Sequence, residues 1–176
     1  MARSSLSMGA RAGVSADGAA ESFEGLAREV IVADGPAMQA LGATLAVVAR
    51  PGDVLCLFGD LGAGKTQFAK GFGRGLGVAD TVTSPSFVLM SEYAGRLPLF
   101  HVDLYRLADG AAAIAGGLVD ERQADGVTII EWAERLGEAT PASRLDVRIA
   151  GAGEEPRTVR LQPTDARHAR YLEALP

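Results

Sequence analysis

The stretch GDLGAGKTQFAKG (residues 59–71) holds both lysines of a 176-residue chain whose other basic side chains are all Arg. It satisfies the pattern G-x-x-x-x-G-K-[ST] at Gly59, Gly64, Lys65 and Thr66. Before it, DVLCLF is a continuous apolar run, the signature of a strand buried on both faces of a parallel sheet. After it, Phe68, Phe72 and Leu76 recur every four residues and Gly77 follows, which predicts an amphipathic helix. Strand, glycine loop and helix in that order form a cradle for a polyphosphate. The glycines let the main chain wrap an anion without Cβ clashes. Successive N–H groups then point inward, and the helix adds the positive end of its dipole. Lys65 supplies a compact ammonium for the β- and γ-phosphates, a task a planar guanidinium fits less well. Thr66 offers its hydroxyl to Mg²⁺. Lys70, one turn further on, reads as a surface residue.

Working outward, REVIVA predicts a short strand from Arg28, and DGPAMQALGATLAVVAR a helix that Pro51-Gly52 breaks. SFVLMSEY and LPLFHVDLYRL flank Ala94-Gly95-Arg96 as a candidate hairpin. Residues 108–125 read as short helices, VTIIEW as a buried strand and AERLG as a helical turn. RLDVRIAG and RTVRLQP alternate polar and apolar residues, which predicts a final antiparallel hairpin with one wet face. DARHARYLEAL is a C-terminal helix. The fold class is therefore α/β and P-loop NTPase-like: a mixed, mostly parallel sheet flanked by helices, with a C-terminal antiparallel hairpin. Residues 1–26 are Ala-, Gly- and Ser-rich and are expected to form a disordered tail ahead of one domain over 27–176.

Composition narrows the function classes. The formal net charge of −5 argues against a broad basic surface that binds nucleic acid unaided. The single cysteine, Cys56, lies within an apolar run and reads as a buried small hydrophobe. One thiol offers no internal disulfide, no apolar run reaches the length of a membrane span, and no secretion signal is evident. The cytoplasm is the expected location, with no membrane association.

A nucleotide site of this kind needs an acidic group near Mg²⁺ at the end of a buried strand. Asp103 ends LPLFHVD and Glu131 ends VTIIE. Either would hold the metal, and the other would orient the attacking water. The segment TSPSF, with Thr83, Ser84 and Ser86, sits where related nucleotide hydrolases place a loop that senses the γ-phosphate. His101 precedes Asp103 by two residues and shares its strand face, so it reads as a hydrogen-bond partner behind the reacting groups, with a catalytic base as the alternative. His168, in an Arg-rich helix, is expected to be solvated. No His and Cys residues have zinc-ligand spacing. No Asn-Lys-x-Asp base reader is available, because no Lys lies outside the P-loop region; that disfavours a GTPase.

Taken in order, GDLGAGKT, TSPSF, HVDLYRL and IIEW resemble the TsaE (YjeE) family, the bacterial ATPase of tRNA threonylcarbamoyladenosine biosynthesis. The resemblance covers about residues 28–162. It implies a Mg-dependent ATPase, weak by itself, that acts with two partner subunits and reaches tRNA only indirectly. It also implies that Lys65 holds phosphate, that Thr66 and Glu131 contact Mg²⁺ and that Asp103 is needed for hydrolysis. Lys65, Asp103 and Glu131 are then the catalytic set. The nucleotide is expected to meet Gly59, Gly62, Ala63, Gly64, Lys65, Thr66 and Gln67, with Thr83 and Ser84 in the switch-like loop and Trp132 beside the site. The adenine pocket would draw on Asp34 and Gly35, and the C-terminal hairpin would bring Arg157 towards the nucleotide. Two other readings fit the residue chemistry: a small-molecule P-loop kinase, and a non-catalytic scaffold ordered by ATP.

Overall fold

The computed structural model describes residues 25–108, 110–117, 121–151 and 153–175. The expected tail thus lies almost wholly outside the described residues. Seven strands form one sheet: β1 (Arg28–Val32), β2 (Asp53–Phe58), β3 (Met90–Tyr93), β4 (Leu99–Asp103), β5 (Val127–Glu131), β6 (Leu145–Ala150) and β7 (Arg157–Pro163). Their order is β1-β7-β6-β2-β5-β4-β3. Pairings β6–β2, β2–β5 and β5–β4 are parallel, whereas β1–β7, β7–β6 and β4–β3 are antiparallel. Only β3 and β7 therefore run against the other strands, the mixed and mostly parallel sheet that the sequence predicts.

The burial of each strand follows from its place. β4 and β5, in the interior of the sheet, are buried at every position. β6 turns Arg148 and Ala150 to solvent and β7 turns out Arg160, the wet face expected of the hairpin. Helices α1 (Gly35–Ala46), α2 (Lys65–Gly75) and α4 (Ala166–Glu173) share one core with Leu55, Leu57, Leu99 and Ile129. On the opposite face, Cys56, Val102 and Ile130 pack with Ala113 of α3 (Gly110–Ala115) and Leu136 of the 3-10 segment Ala133–Ala139. No helix among the described residues is long and apolar enough to cross a membrane.

The helix ends have identifiable causes. Asp34 caps α1, accepting from the Ala37 N–H at 2.8 Å. At the other end Arg96 donates to the Ala46 carbonyl, the last of the helix, and guanidiniums of Arg96 and Arg170 take the Ala49 and Val48 carbonyls just beyond it. α1 stops at Ala46, before the Pro51 expected to break it, and the chain tightens into turns in which the Val47, Val48 and Ala49 N–H groups donate to the Thr44, Leu45 and Ala46 carbonyls. Phe68, Phe72 and Leu76 are all buried, and Gly77, at φ +75°, lies just past the C-cap of α2.

Two expectations are corrected. The first strand of the β3–β4 hairpin starts only at Met90. Residues 85–89 form a turn in which the Val88 and Leu89 N–H groups both donate to the Pro85 carbonyl. Phe87 is consequently 86% exposed despite sitting in an apolar run. His168 is not solvated but fully buried. The residues of α4 repeat with helical period, and His168, Tyr171 and Leu172 face the sheet while the arginines take the rim. There they enclose Asp53, the buried first residue of β2, which accepts from Tyr171 Oη at 2.7 Å, from Arg167 Nε at 3.3 Å and from Arg170. Such pairing is what permits a carboxylate in a core. His168 is held by Asp165 Oδ1 at 2.8 Å from its Nδ1.

Cys56 is buried as expected. Burial, aided by Asp146, pushes its thiol up to about 12. A water-soluble disulfide reagent should therefore leave the folded chain unmodified and take up one equivalent on unfolding, read by absorbance. Rapid reaction of native protein would show that the β2 core opens.

Candidate nucleotide site

The parallel strands converge on one end of the sheet, where their C-terminal residues and the β2–α2 loop meet. Gly59 leaves β2 at φ +146°, and a Cβ there would lie 2.5 Å from the Ile149 carbonyl oxygen. Gly64 enters α2 at φ +115°. Both positions require glycine, and between them the backbone curls back so that the Ala63 N–H donates to the Asp60 carbonyl at 3.1 Å. Lys65, the first residue of α2, is 4% exposed. Its Nζ donates to the carbonyls of Gly59 at 2.5 Å and Asp60 at 2.9 Å.

Register brings the two acids together. Asp103 pairs with Glu131 at the ends of β4 and β5, and Leu57 of β2 pairs with Glu131 on its other side. Both carboxylates therefore face α2. Glu131 Oε2 accepts from Thr66 Oγ1 at 3.0 Å, and its Oε1 lies 2.8 Å from His101 Nε2. Asp103 takes a different role. Its Oδ2 accepts from Ser84 Oγ at 2.5 Å and Ser86 Oγ at 2.6 Å, and its Oδ1 from the Tyr105 N–H at 2.9 Å. The TSPSF segment is thus tied to the end of β4 through Asp103.

A cleft of about 420 Å³ lies over these groups, within the usual size of a small-molecule site. Of the residues expected from sequence, Gly62, Gly64, Lys65, Thr66, Gln67, Ser84, Asp103, Glu131 and Trp132 line it. Gly59 contributes its carbonyl to Lys65 rather than lining. Ala63, with Asp34, Gly35 and Arg157, lines a smaller cavity of about 70 Å³ behind the loop, which Gln67 also borders. Gln67 Oε1 accepts from Gln39 Nε2 at 2.7 Å, linking the first turn of α2 to α1. Thr83 is not drawn into the cleft; its N–H donates to Tyr93 Oη at 3.2 Å.

The cleft and its register are on a chain whose residues 32–159 match the family described as threonylcarbamoyl adenosine biosynthesis protein TsaE. The chain belongs to the TsaE family. The tRNA threonylcarbamoyladenosine biosynthesis protein TsaE of Bacillus subtilis (strain 168) is 41% identical over 138 residues, covering 78% of this chain and 86% of that protein. Its counterpart in Streptomyces coelicolor is 42% identical over 115 residues, covering 64% and 78%. The crystal structure of Bacillus subtilis YdiB superposes with a TM-score of 0.71 at 36% identity, covering 84% of this chain and 92% of that one. Every cleft residue named above falls inside the stretch that matches TsaE.

Several features of this TsaE-family site are not legible from residue type. Trp132 adopts φ +60°, ψ +42°, a left-handed conformation that costs a non-glycine residue about 1–2 kcal/mol. The bend sets its ring 3.6 Å from Lys65 Nζ, a cation–π contact, and the Tyr105 ring packs against it at 5.0 Å between centroids. Burial pushes the Lys65 ammonium below the usual lysine range, opposed by the carboxylates of Glu131, Glu134, Asp103 and Asp60. Leu61, Phe87 and Arg106 also border the cleft, with Arg106 stacked 4.4 Å from the Phe87 ring. No periodic pattern marks these three, because each belongs to a loop.

Proposed function

We propose that this chain is a Mg-dependent ATP hydrolase that serves tRNA threonylcarbamoyladenosine biosynthesis as an accessory subunit, in the cytoplasm and alongside two partner proteins. The observation that carries the reading is the Thr66 hydroxyl 3.0 Å from the Glu131 carboxylate, one residue from Lys65 and at the mouth of the glycine loop. A hydroxyl and a carboxylate at a helix N-terminus are the donor set a hexacoordinate Mg²⁺ takes when phosphates and water supply the rest. Thr66 and Glu131 would hold it. Bound there, the ion supplies neutralising charge for the β- and γ-phosphate oxygens.

The chain's own groups do the remainder. Loop N–H groups and Lys65 cradle the phosphates, which compete with the Gly59 and Asp60 carbonyls for the Lys65 ammonium. Water attacks the γ-phosphorus in line and ADP leaves. A carboxylate accepts at about four sites, and Asp103 has three hydrogen bonds in place, so it retains room to orient one water. Ser84 and Ser86 report the state of the γ-phosphate through Asp103. An arginine supplied or ordered by a partner would raise the slow intrinsic rate, as such residues do by about a thousandfold or more. Membership of the TsaE family supports the assignment to tRNA threonylcarbamoyladenosine biosynthesis, and the low net basicity supports contact with tRNA through partners.

The test is ATP hydrolysis by the purified chain, alone and with its partner subunits, with Asp103→Asn as the decisive variant. We expect Mg-dependent phosphate release that partners accelerate. Asp103→Asn should lower turnover about 10²-fold with ATP affinity retained. Rapid hydrolysis without Mg²⁺, or normal turnover by Asp103→Asn, would sink the mechanism. Transfer of the γ-phosphoryl to a metabolite in place of water would make the chain a kinase.

A further inference from the structure

We infer that His101 is a positioning residue that fixes the orientation in which the Glu131 carboxylate faces the metal and nucleotide. This rests on the reading of Glu131 as a magnesium ligand. His101 is fully buried in the middle of β4, in register with Ile129 and two residues before Asp103. It lies one rung below Glu131 on the same face of the sheet, so its ring reaches diagonally to the neighbouring strand. Its Nε2 is 2.8 Å from Glu131 Oε1, while Glu131 Oε2 accepts from Thr66 at 3.0 Å. The two carboxylate oxygens therefore have separate duties, one anchored inward and one presented to the loop.

That separation needs a cause. The terminal torsion of a glutamate is broad, so nothing intrinsic to Glu131 sets the plane in which its carboxylate lies. A single donor on the buried side does. For the contact to hold a carboxylate that serves as an acceptor, the hydrogen has to lie on His101 Nε2. His101 Nδ1 is buried and has no hydrogen-bond partner among the described residues. Among the described residues the ring therefore makes one hydrogen bond, and that bond is with Glu131. A histidine buried merely to pack would leave both nitrogens without a task, a costly arrangement where Phe or Leu would serve. Hydrogen bonds behind a ligating carboxylate typically carry about 10–100-fold in metal affinity or activity.

The experiment compares His101→Phe, His101→Gln and Glu131→Gln in the full chain. Phe keeps the ring volume and removes the donor, and Gln can place an N–H near the position of Nε2. Binding of a non-hydrolysable ATP analogue is followed through Trp132, the chain's one tryptophan, across a Mg²⁺ titration and in EDTA. We expect His101→Phe to raise the half-saturating Mg²⁺ about 10-fold or more, with analogue affinity in EDTA kept within about twofold and His101→Gln recovering most of the loss. Nitrogen-15 correlation spectra of the ring should show the proton on Nε2 and a bare Nδ1, a readout independent of any variant's folding. Unchanged Mg²⁺ dependence in His101→Phe while Glu131→Gln is impaired overturns the role of His101 alone. Unchanged Mg²⁺ dependence in Glu131→Gln overturns the magnesium reading and the His101 role together. A proton on Nδ1 with none on Nε2 also overturns it.

Discussion

Lys65→Ala is expected to lower ATP turnover about 10³-fold, the largest functional loss from any single side chain of this site. The loop amides and the α2 dipole remain in the variant, so the loss isolates the ammonium. Its environment explains the size. Nζ is held by two loop carbonyls, faces the Trp132 ring at 3.6 Å and is 4% exposed with the rest of its side chain. In so dry a place a point charge meeting phosphate is worth far more than in water. Lys65→Arg should fail nearly as badly, because a planar fork cannot settle between the Gly59 and Asp60 carbonyls as a compact ammonium does. The direction of the Lys65 shift adds a pH signature. Burial lowers its pKa, so the charged form is lost as pH rises, beginning below the 10.5 of an ordinary lysine. Nucleotide affinity should decline over that alkaline range in the parent chain and show no such limb in Lys65→Ala. The check is ATPase rate and Trp132 fluorescence against pH. Turnover within about threefold of the parent would remove the ammonium from the mechanism.

The same residues show why part of this architecture is legible from sequence. A glycine loop between a buried run and a period-four helix has essentially one structural solution, so Gly59 to Thr66 land where the pattern puts them. Strands led by runs of large apolar residues, such as β4 (LFHVD) and β5 (VTIIE), read as interior, and both are buried at every position. Strand order is another matter. β2 takes β5 and β6 as neighbours across long stretches of chain, and only three-dimensional packing selects them. His168 illustrates a different difficulty: the arginines around it dominate the composition, yet helical period places it on the buried side with Tyr171. Phe87 is the converse, an apolar residue that Pro85 turns out of the sheet. The left-handed bend at Trp132 has no local signal, since residue type would place glycine or asparagine there. It exists because the site holds it, which is where backbone strain is expected to concentrate.

Gly71→Ala should destabilise the fold by about 3 kcal/mol, near the upper end for adding one carbon to a packed contact. Helices α1 and α2 pack backbone against backbone at this point. A Cβ on Gly71 would lie 1.9 Å from the Gln39 carbonyl oxygen and 2.5 Å from its Cα. Gly42 answers from the other helix, where a Cβ would sit 2.4 Å from the Phe68 carbonyl oxygen. The obstacles are backbone atoms, so no rotamer change relieves the clash and the helices must separate. Two consequences follow from what α2 carries. Separation exposes part of the core around Phe68 and Phe72, and it shifts Lys65 and Thr66 away from Glu131. The melting temperature is therefore expected to fall by roughly 10 °C, with nucleotide affinity falling in the surviving folded protein. Gly35→Ala is the matched control on the same helix pair. A Cβ there meets nothing closer than Gln67 at 3.8 Å, and the position lies at the first turn of α1, so stability should change by less than about 1 kcal/mol. Calorimetry of both variants decides the matter. Equal melting temperatures would mean that α1 and α2 are not held at the distance on which the position of Lys65 depends.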